Sequence, residues 1–353
     1  MYCDYPAISE KTRLDHLAPL ERDAVRIPPA AAAELAGISQ PTEVRLSSIL
    51  SRPVYRFRSP DRIAVVYADT GETFHGFQEA EARKVGAAWV HLRPEDAKLE
   101  SKQIHEDDQW TVQQHYRMYR PLWKFSWPDG EVTYVSDVSG EVVQYTTSRS
   151  RLGAYFGAIP HWIYFTQLRR KAETWSWLVI LVSDVGTAMT SLGLIAGLWM
   201  YSPSKRYRRN GRPSHIAYRG QLRWHTILGL TFGFLTFTWI LSGMFSMDPI
   251  RWPENMVEEK IETQLVGANW AGTDFAGVAS ALSELQQHLQ LHELVLTYLA
   301  GKSTYLALKS SSETAIFPER GPVQSLLDQQ TLNSIVAQAA RPYSIIESRL
   351  ITQ

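Results

Sequence analysis

Apolar positions along the chain follow two regimes. From residue 1 to about 173, and again from 248 to 353, they come in short runs that alternate with polar residues. Pro-Asp and Gly turns cut these runs, which is the period-2 pattern of half-buried strands. Between them lie two nearly unbroken apolar windows, "WSWLVILVSDVGTAMTSLGLIAGLWMY" (175–201) and "RWHTILGLTFGFLTFTWILSGMFSMDP" (223–249). Each offers about 20 consecutive apolar residues, enough to cross a hydrocarbon core of ~30 Å. Trp175, Trp177, Trp199 and Tyr201 mark the ends of the first window, where an aromatic belt belongs. The pattern predicts transmembrane helices over 174–201 and 224–247. Residues 157–173, with "HWIYFTQLRR", read as an amphipathic segment at the interface.

The flanking regions, 1–156 and 248–353, contain repeats. "RPVYRFRSPDRIAVVYADTGE" from Arg52 aligns with "RPLWKFSWPDGEVTYVSDVSGE" from Arg120 with one inserted residue. Each copy reads strand, Pro-Asp turn, strand, Gly turn. Helix-like stretches precede them, "AAAELAG" (31–37) and "QEAEARKVGAAWVHL" (78–92). A third unit follows the second window: "SALSELQQHLQ", then strands "ELVLTYLA" and "TYLALKS" about Gly301-Lys302. A fourth opens with "QTLNSIVAQAA" and "SIIESRLIT". A repeat ending on its first strand leaves a bare edge, so a truncated C-terminal region is expected. Tyr55, Phe57, Trp123, Phe125 and Trp127 are expected in sheet cores.

The chain has 353 residues and zero formal net charge, but its charge is unevenly placed. The connection 202–223 carries Lys205, Arg206, Arg208, Arg209, Arg212, Arg219 and Arg223 and no acid. Short basic loops stay in the cytoplasm, which places both polar regions outside. Such a loop between membrane helices reads as an orientation signal touching anionic headgroups, not as a nucleic-acid surface. Residues 1–30 contain no signal peptide. "MYCDYP" echoes the exit "SMDP", so a membrane helix preceding the chain is expected. Cys3 is the sole cysteine, which excludes an intramolecular disulfide.

Candidate chemistry concentrates near the helices. His225, Gly229 and Gly233 share one helix face at i, i+4, i+8. An imidazole can ligate haem iron, and glycines beside it leave room for the macrocycle. Equally, the glycines can form a small-xxx-small helix contact with His225 merely at the interface. Gly186, Thr190, Gly193 and Gly197 form a matching stripe, read as helix packing. Asp184 lies about 14 Å along its helix from Trp175; it is either a charge partner for a further helix or a hydrated carboxylate. His161, opening the interfacial segment, is a second candidate ligand or a backbone-bonded histidine. His161 and His225 belong to opposite faces ~30 Å apart, so as ligands they serve two haems. His215 is expected to be solvated. His288 and His292, spaced i, i+4, could bind metal if helical, but "LHELVLTYLA" reads as a strand from about there; His16, His75, His91, His105 and His115 show no ligand spacing and are expected at the surface or in the core. No nicotinamide fingerprint, phosphate-cradling loop or nucleophile with a local base stands out.

"GAIPHWIYFTQLR" (157–169), "GLIAGLWMY" (193–201), "RWHTILGLTFGFLTFTWILSGMFSM" (223–247) and the "DVSGE" turn (137–141) together resemble the PepSY-associated transmembrane protein family. The resemblance implies an α+β membrane protein, a transmembrane hairpin with periplasmic PepSY-like α/β repeats on both sides of it in sequence. It implies a bacterial inner-membrane location, a four-helix unit whose first and last helices are missing here, and a link to iron or siderophore uptake. For function it implies haem b at His225 and His161, and electron transfer outward as a ferric or ferric-siderophore reductase. The alternative is a non-redox, membrane-anchored PepSY binding or regulatory module.

Overall fold

The computed structural model describes residues 5–21, 24–105, 108–209, 211–247, 260–261, 263–287, 290–310, 313–318 and 329–341. Cys3, His288 and the expected strand "SIIESRLIT" lie outside them. The chain divides into two bodies, Met1–His161 with Met256–Gln353, and Trp162–Asn255. The architecture is mixed α+β, with two helices long and apolar enough to span a membrane.

In the first body, helices α1 (Glu10–Asp15) and α2 (Pro29–Ala36) precede strands β1 (Glu43–Ile49), β2 (Arg52–Arg58) and β3 (Ile63–Tyr67). Helix α3 (Glu79–Val90) follows, then β4 (Lys98–Gln103), β5 (Leu122–Ser126), β6 (Val132–Ser136) and β7 (Val142–Thr146). The aligned sequence copies thus become the hairpins β2–β3 and β5–β6. Two short helices, α4 (Ser148–Phe156) and α5 (Ala158–Trp162), lead to the second body.

The second body contains α6 (Thr166–Arg169), α7 (Ala172–Met200), a hairpin of β8 (Tyr207–Arg209) and β9 (Arg212–Ser214), and α8 (Gly220–Phe245). The long helices match the expected windows to within about a turn. The connection 202–223, expected to be a loop, contains this hairpin. The chain then re-enters the first body with α9 (Val278–Leu285), β10 (Glu293–Leu299), β11 (Lys302–Leu308), β12 (Thr314–Pro318) and α10 (Gln329–Ala339).

The segments before and after the helix pair share one sheet, ordered β12-β11-β10-β1-β2-β3, while β4-β5-β6-β7 form a second. In the six-stranded sheet two three-stranded meanders pair antiparallel through their first strands, with Arg45 opposite Val295. The meanders correspond position by position at an offset of 250: Glu43 with Glu293, Leu46 with Leu296, Tyr55 with Tyr305. Both turn through two residues at positive φ, Leu50-Ser51 and Ala300-Gly301. That geometry matches the strand twist in two-residue hairpins.

One face of this sheet packs under helices α2 and α9. Val44, Leu46, Tyr55, Phe57, Leu294 and Tyr305 meet Ala32, Ala36, Leu282 and Leu285 there. The other face brings Ile49, Val54 and Val65 against the second sheet and α3, where Trp123, Phe125 and Trp127 are buried. All five aromatics expected in sheet cores are buried.

A turn at Gly272–Phe275 wedges against α2. A Cβ on Gly272 would stand 2.6 Å from Ala30 Cα and 3.0 Å from its nitrogen. Backbone cannot rotate away as a flexible side chain does. Gly272→Ala is therefore expected to lower stability by about 1–3 kcal/mol, checked by urea denaturation; an unchanged midpoint would refute this close seat.

Candidate functional site

The second body explains its glycines by position. A Cβ on Gly233 would come within 2.7 Å of Leu194 Cδ2, and one on Gly197 within 3.0 Å of Leu230 Cδ2. Gly186 faces Ile240 at 3.7 Å. Gly233 and Gly197 let α7 and α8 approach, as small residues do where helices pack closely, whereas a Cβ at Gly186 would make only ordinary contact. Gly193 and Gly229 differ: no atom lies within 4 Å of the place a Cβ would take. They open into a groove of 230 Å³ between the helices, with Gly197, Tyr218 and His225 among its lining.

His225 is exposed on the helix pair, and its ring makes no hydrogen bond among the described residues. The face read as His225, Gly229 and Gly233 is therefore divided. His225 and Gly229 share the groove, while Gly233 is taken up by Leu194.

Asp184 is exposed on α7, with no hydrogen bond or ion pair among the described residues. Several hydroxyls of the two helices bond to their own backbones: Thr190 to Gly186, Thr226 to Leu222, Thr231 to Ile227. Large apolar side chains, including Trp177, Met189, Trp199 and Trp239, are exposed.

Within 157–173, read as an amphipathic segment, α5 and α6 are separate short helices, parted at Ile163, which has a φ of 53°. Tyr164 packs edge-on against Trp175, Arg169 lies 4.3 Å over the Trp175 ring, and Trp175 donates to the Trp162 carbonyl at 2.8 Å. His161, exposed on α5, belongs to the first body. The His215 Nδ1–H donates to the Ser202 carbonyl at 2.8 Å, and the ring stacks on Tyr201. His292 lies one residue before β10, with Nδ1 2.8 Å from the Leu14 carbonyl. Among the described residues no three His, Cys, Asp or Glu side chains gather as a metal site.

The first body holds two features that sequence reasoning missed. One is a buried ion cluster beneath the β1–β10 seam. Arg13 donates to both Glu293 carboxylate oxygens at 2.6 and 2.7 Å. Arg45 lies 3.6 Å from Glu293 and 3.9 Å from Glu141; Arg56 is 3.4 Å from Glu141. Glu141 ends the "DVSGE" turn and so locks the second sheet to the first. Burial pushes its carboxyl up, but Arg56, Arg45 and Arg13 outweigh that and hold it below the usual carboxylate range.

The second feature is a cavity of 250 Å³ beside this cluster, lined by Arg13, His16, Leu50, Trp89 and Glu141 among others. His16 stacks on Trp89 with centroids 4.2 Å apart. Trp89 Nε1 has no acceptor and Glu141 Oε1 no hydrogen-bond donor, although both side chains are more than nine-tenths buried. Buried polar atoms are rarely left so. The only sequence signal was an isolated Trp within a helix pattern.

No family model, curated protein or solved structure matches the chain.

Proposed function

We propose that the helix pair lies in the bacterial inner membrane, holds haem b at His225, and passes single electrons outward. The observation that carries this reading is an imidazole without a hydrogen-bond partner in a groove floored by glycine. The exposed apolar faces of α7 and α8 support a bilayer setting, since soluble surfaces seldom expose so much. The acid-free connection 202–223 supports its placement on the cytoplasmic side.

The residues fit one face of a porphyrin. His225 would hold the iron through an imidazole nitrogen, and any Cβ at Gly193 or Gly229 would intrude on the groove. At 230 Å³ the groove is smaller than the ~300 Å³ at which ligand pockets begin. Further or partner transmembrane helices must then cover the opposite face. A bound iron porphyrin supplies one-electron chemistry. In this chain His225 would hold the group, the bare glycines would leave it room, and the apolar helices would exclude water. His161 is the candidate ligand of a second haem near the outer surface. The acceptor is ferric iron or a ferric siderophore in the periplasm, where Fe(III) gains one electron to become Fe(II). The donor is a protein or diffusible carrier on the inner side.

The test is an absorption spectrum of the purified full chain, wild type against His225→Ala. Losing even an outer-shell partner lowers metal affinity about 10–100-fold, so His225→Ala is expected to abolish the Soret band at stoichiometric haem. A wild type without that band, or a variant that keeps it, refutes the assignment.

A second reading, a membrane-anchored PepSY-like binding module without redox chemistry, is favoured by the 250 Å³ cavity in the first body. There the unpartnered Trp89 Nε1 and Glu141 Oε1 offer one donor and one acceptor to a small ligand.

A further inference from the structure

The basic connection does more than carry charge. The β8–β9 hairpin brings Ser214 beside Arg223, whose guanidinium donates to the Ser214 hydroxyl at 3.2 Å. His215 follows, its ring held by the Ser202 carbonyl at 2.8 Å and by stacking on Tyr201. With Arg212, and with Ile227 and Leu230, which follow Arg223 on α8, these residues line an open cleft of 830 Å³. Ile227 and Leu230 lie one and two turns beyond Arg223, so the lining runs from cationic to apolar along the helix.

The cationic end is uncompensated. Residues 201–223 contain no Asp or Glu. Among the described residues no carboxylate pairs with Arg212 or Arg223. Guanidinium forks match phosphate oxygens bidentately. A free phosphate has no use for an apolar wall, whereas a phospholipid needs both ends.

The geometry points to a binding site for an anionic phospholipid such as phosphatidylglycerol. Arg212 and Arg223 hold its phosphate, the Ser214 hydroxyl and His215 ring border the headgroup, and the acyl chains run along Ile227 and Leu230. The site rests on the bilayer setting of the helix pair and is independent of haem.

The test uses the purified full chain in detergent micelles, with lipids retained on it counted by native mass spectrometry. Two basic residues near a membrane surface are each worth about 1 kcal/mol. Phosphatidylglycerol is therefore expected to be retained about 30-fold over phosphatidylcholine. R212Q/R223Q should erase that preference, and R212K/R223K should keep part of it. R206Q/R208Q, which removes equal charge outside the cleft lining, should leave it intact. Equal retention of the two lipids, or equal loss with R206Q/R208Q, overturns the site. Displacement of phosphatidylglycerol by millimolar inorganic phosphate overturns it too, assigning the cleft to the free anion. Fractionation of cells without detergent separates the premises. A chain found in the soluble fraction refutes the bilayer setting, whereas a membrane-bound chain without lipid preference refutes only the site.

Discussion

Replacing Glu293 by alanine is expected to lower the stability of the α+β body by about 3–5 kcal/mol, the cost of leaving a buried charge unpaired. Glu293 is 1 % exposed and takes both ends of the Arg13 guanidinium. Arg45 and Arg56 stand directly opposite each other on β1 and β2. Like charges so placed repel. Without Glu293, Glu141 alone would face three guanidiniums. The double variant Arg13→Met/Glu293→Leu should recover part of the loss, because apolar replacement of a buried pair removes the unpaired charge along with the bond. Urea denaturation followed by tryptophan fluorescence measures both. A loss below about 1 kcal/mol for Glu293→Ala would place the pair with weak surface bridges.

The same cluster sets an acid limit. The folded-state pKa of Glu141 lies below its unfolded value, so the folded state holds this carboxylate deprotonated more firmly. Its contribution is complete above the unfolded pKa, about 4.3 for a glutamate. It is lost as pH falls through the folded value. Glu141→Gln should therefore flatten the acid side of the stability profile while lowering the neutral plateau. An acid limb identical to wild type would assign that limb to other carboxylates.

What the sequence disclosed was what is local. The apolar windows became α7 and α8, and the Pro-Asp turns became hairpin turns, because period and turn chemistry act within a few residues. The joining of β1 to β10 was hidden, since 252 positions and a helix pair separate Val44 from its partner Leu296. Yet the match of Glu43–Arg58 with Glu293–Leu308 at a constant offset was present to be read. The β8–β9 hairpin had its own signal, Asn210-Gly211, the strongest short hairpin dipeptide, overshadowed by the charge around it. Arg13, Arg45, Arg56, Glu141 and Glu293 did not stand out in the sequence because a charge reveals its burial only through partners distant in sequence. For the same reason the helix face at His225 could not be divided beforehand. Whether a glycine is open or filled depends on where Leu194 and Leu230 arrive from the other helix.

That division makes the haem proposal testable at two glycines one turn apart. In Gly229→Leu the new side chain enters the groove beside His225 and meets no atom of α7 within 4 Å at its Cβ. Helix pairing should survive, and haem content should fall at least ~10-fold, or about 1.4 kcal/mol of binding. Gly229→Ala, adding one methyl, should lose less. In Gly233→Leu the Cβ collides with Leu194. Overpacking of this kind costs about 1–3 kcal/mol, read as a lower melting point of the helical circular dichroism in micelles. If the glycines serve only helix packing, Gly233→Leu alone has an effect and Gly229→Leu is silent in both measurements. If His225 holds a porphyrin, Gly229→Leu strips the cofactor from a helix pair that melts as haem-free wild type does. Full haem content in Gly229→Leu would remove the groove from the redox account, because no macrocycle could then occupy the space that the leucine fills.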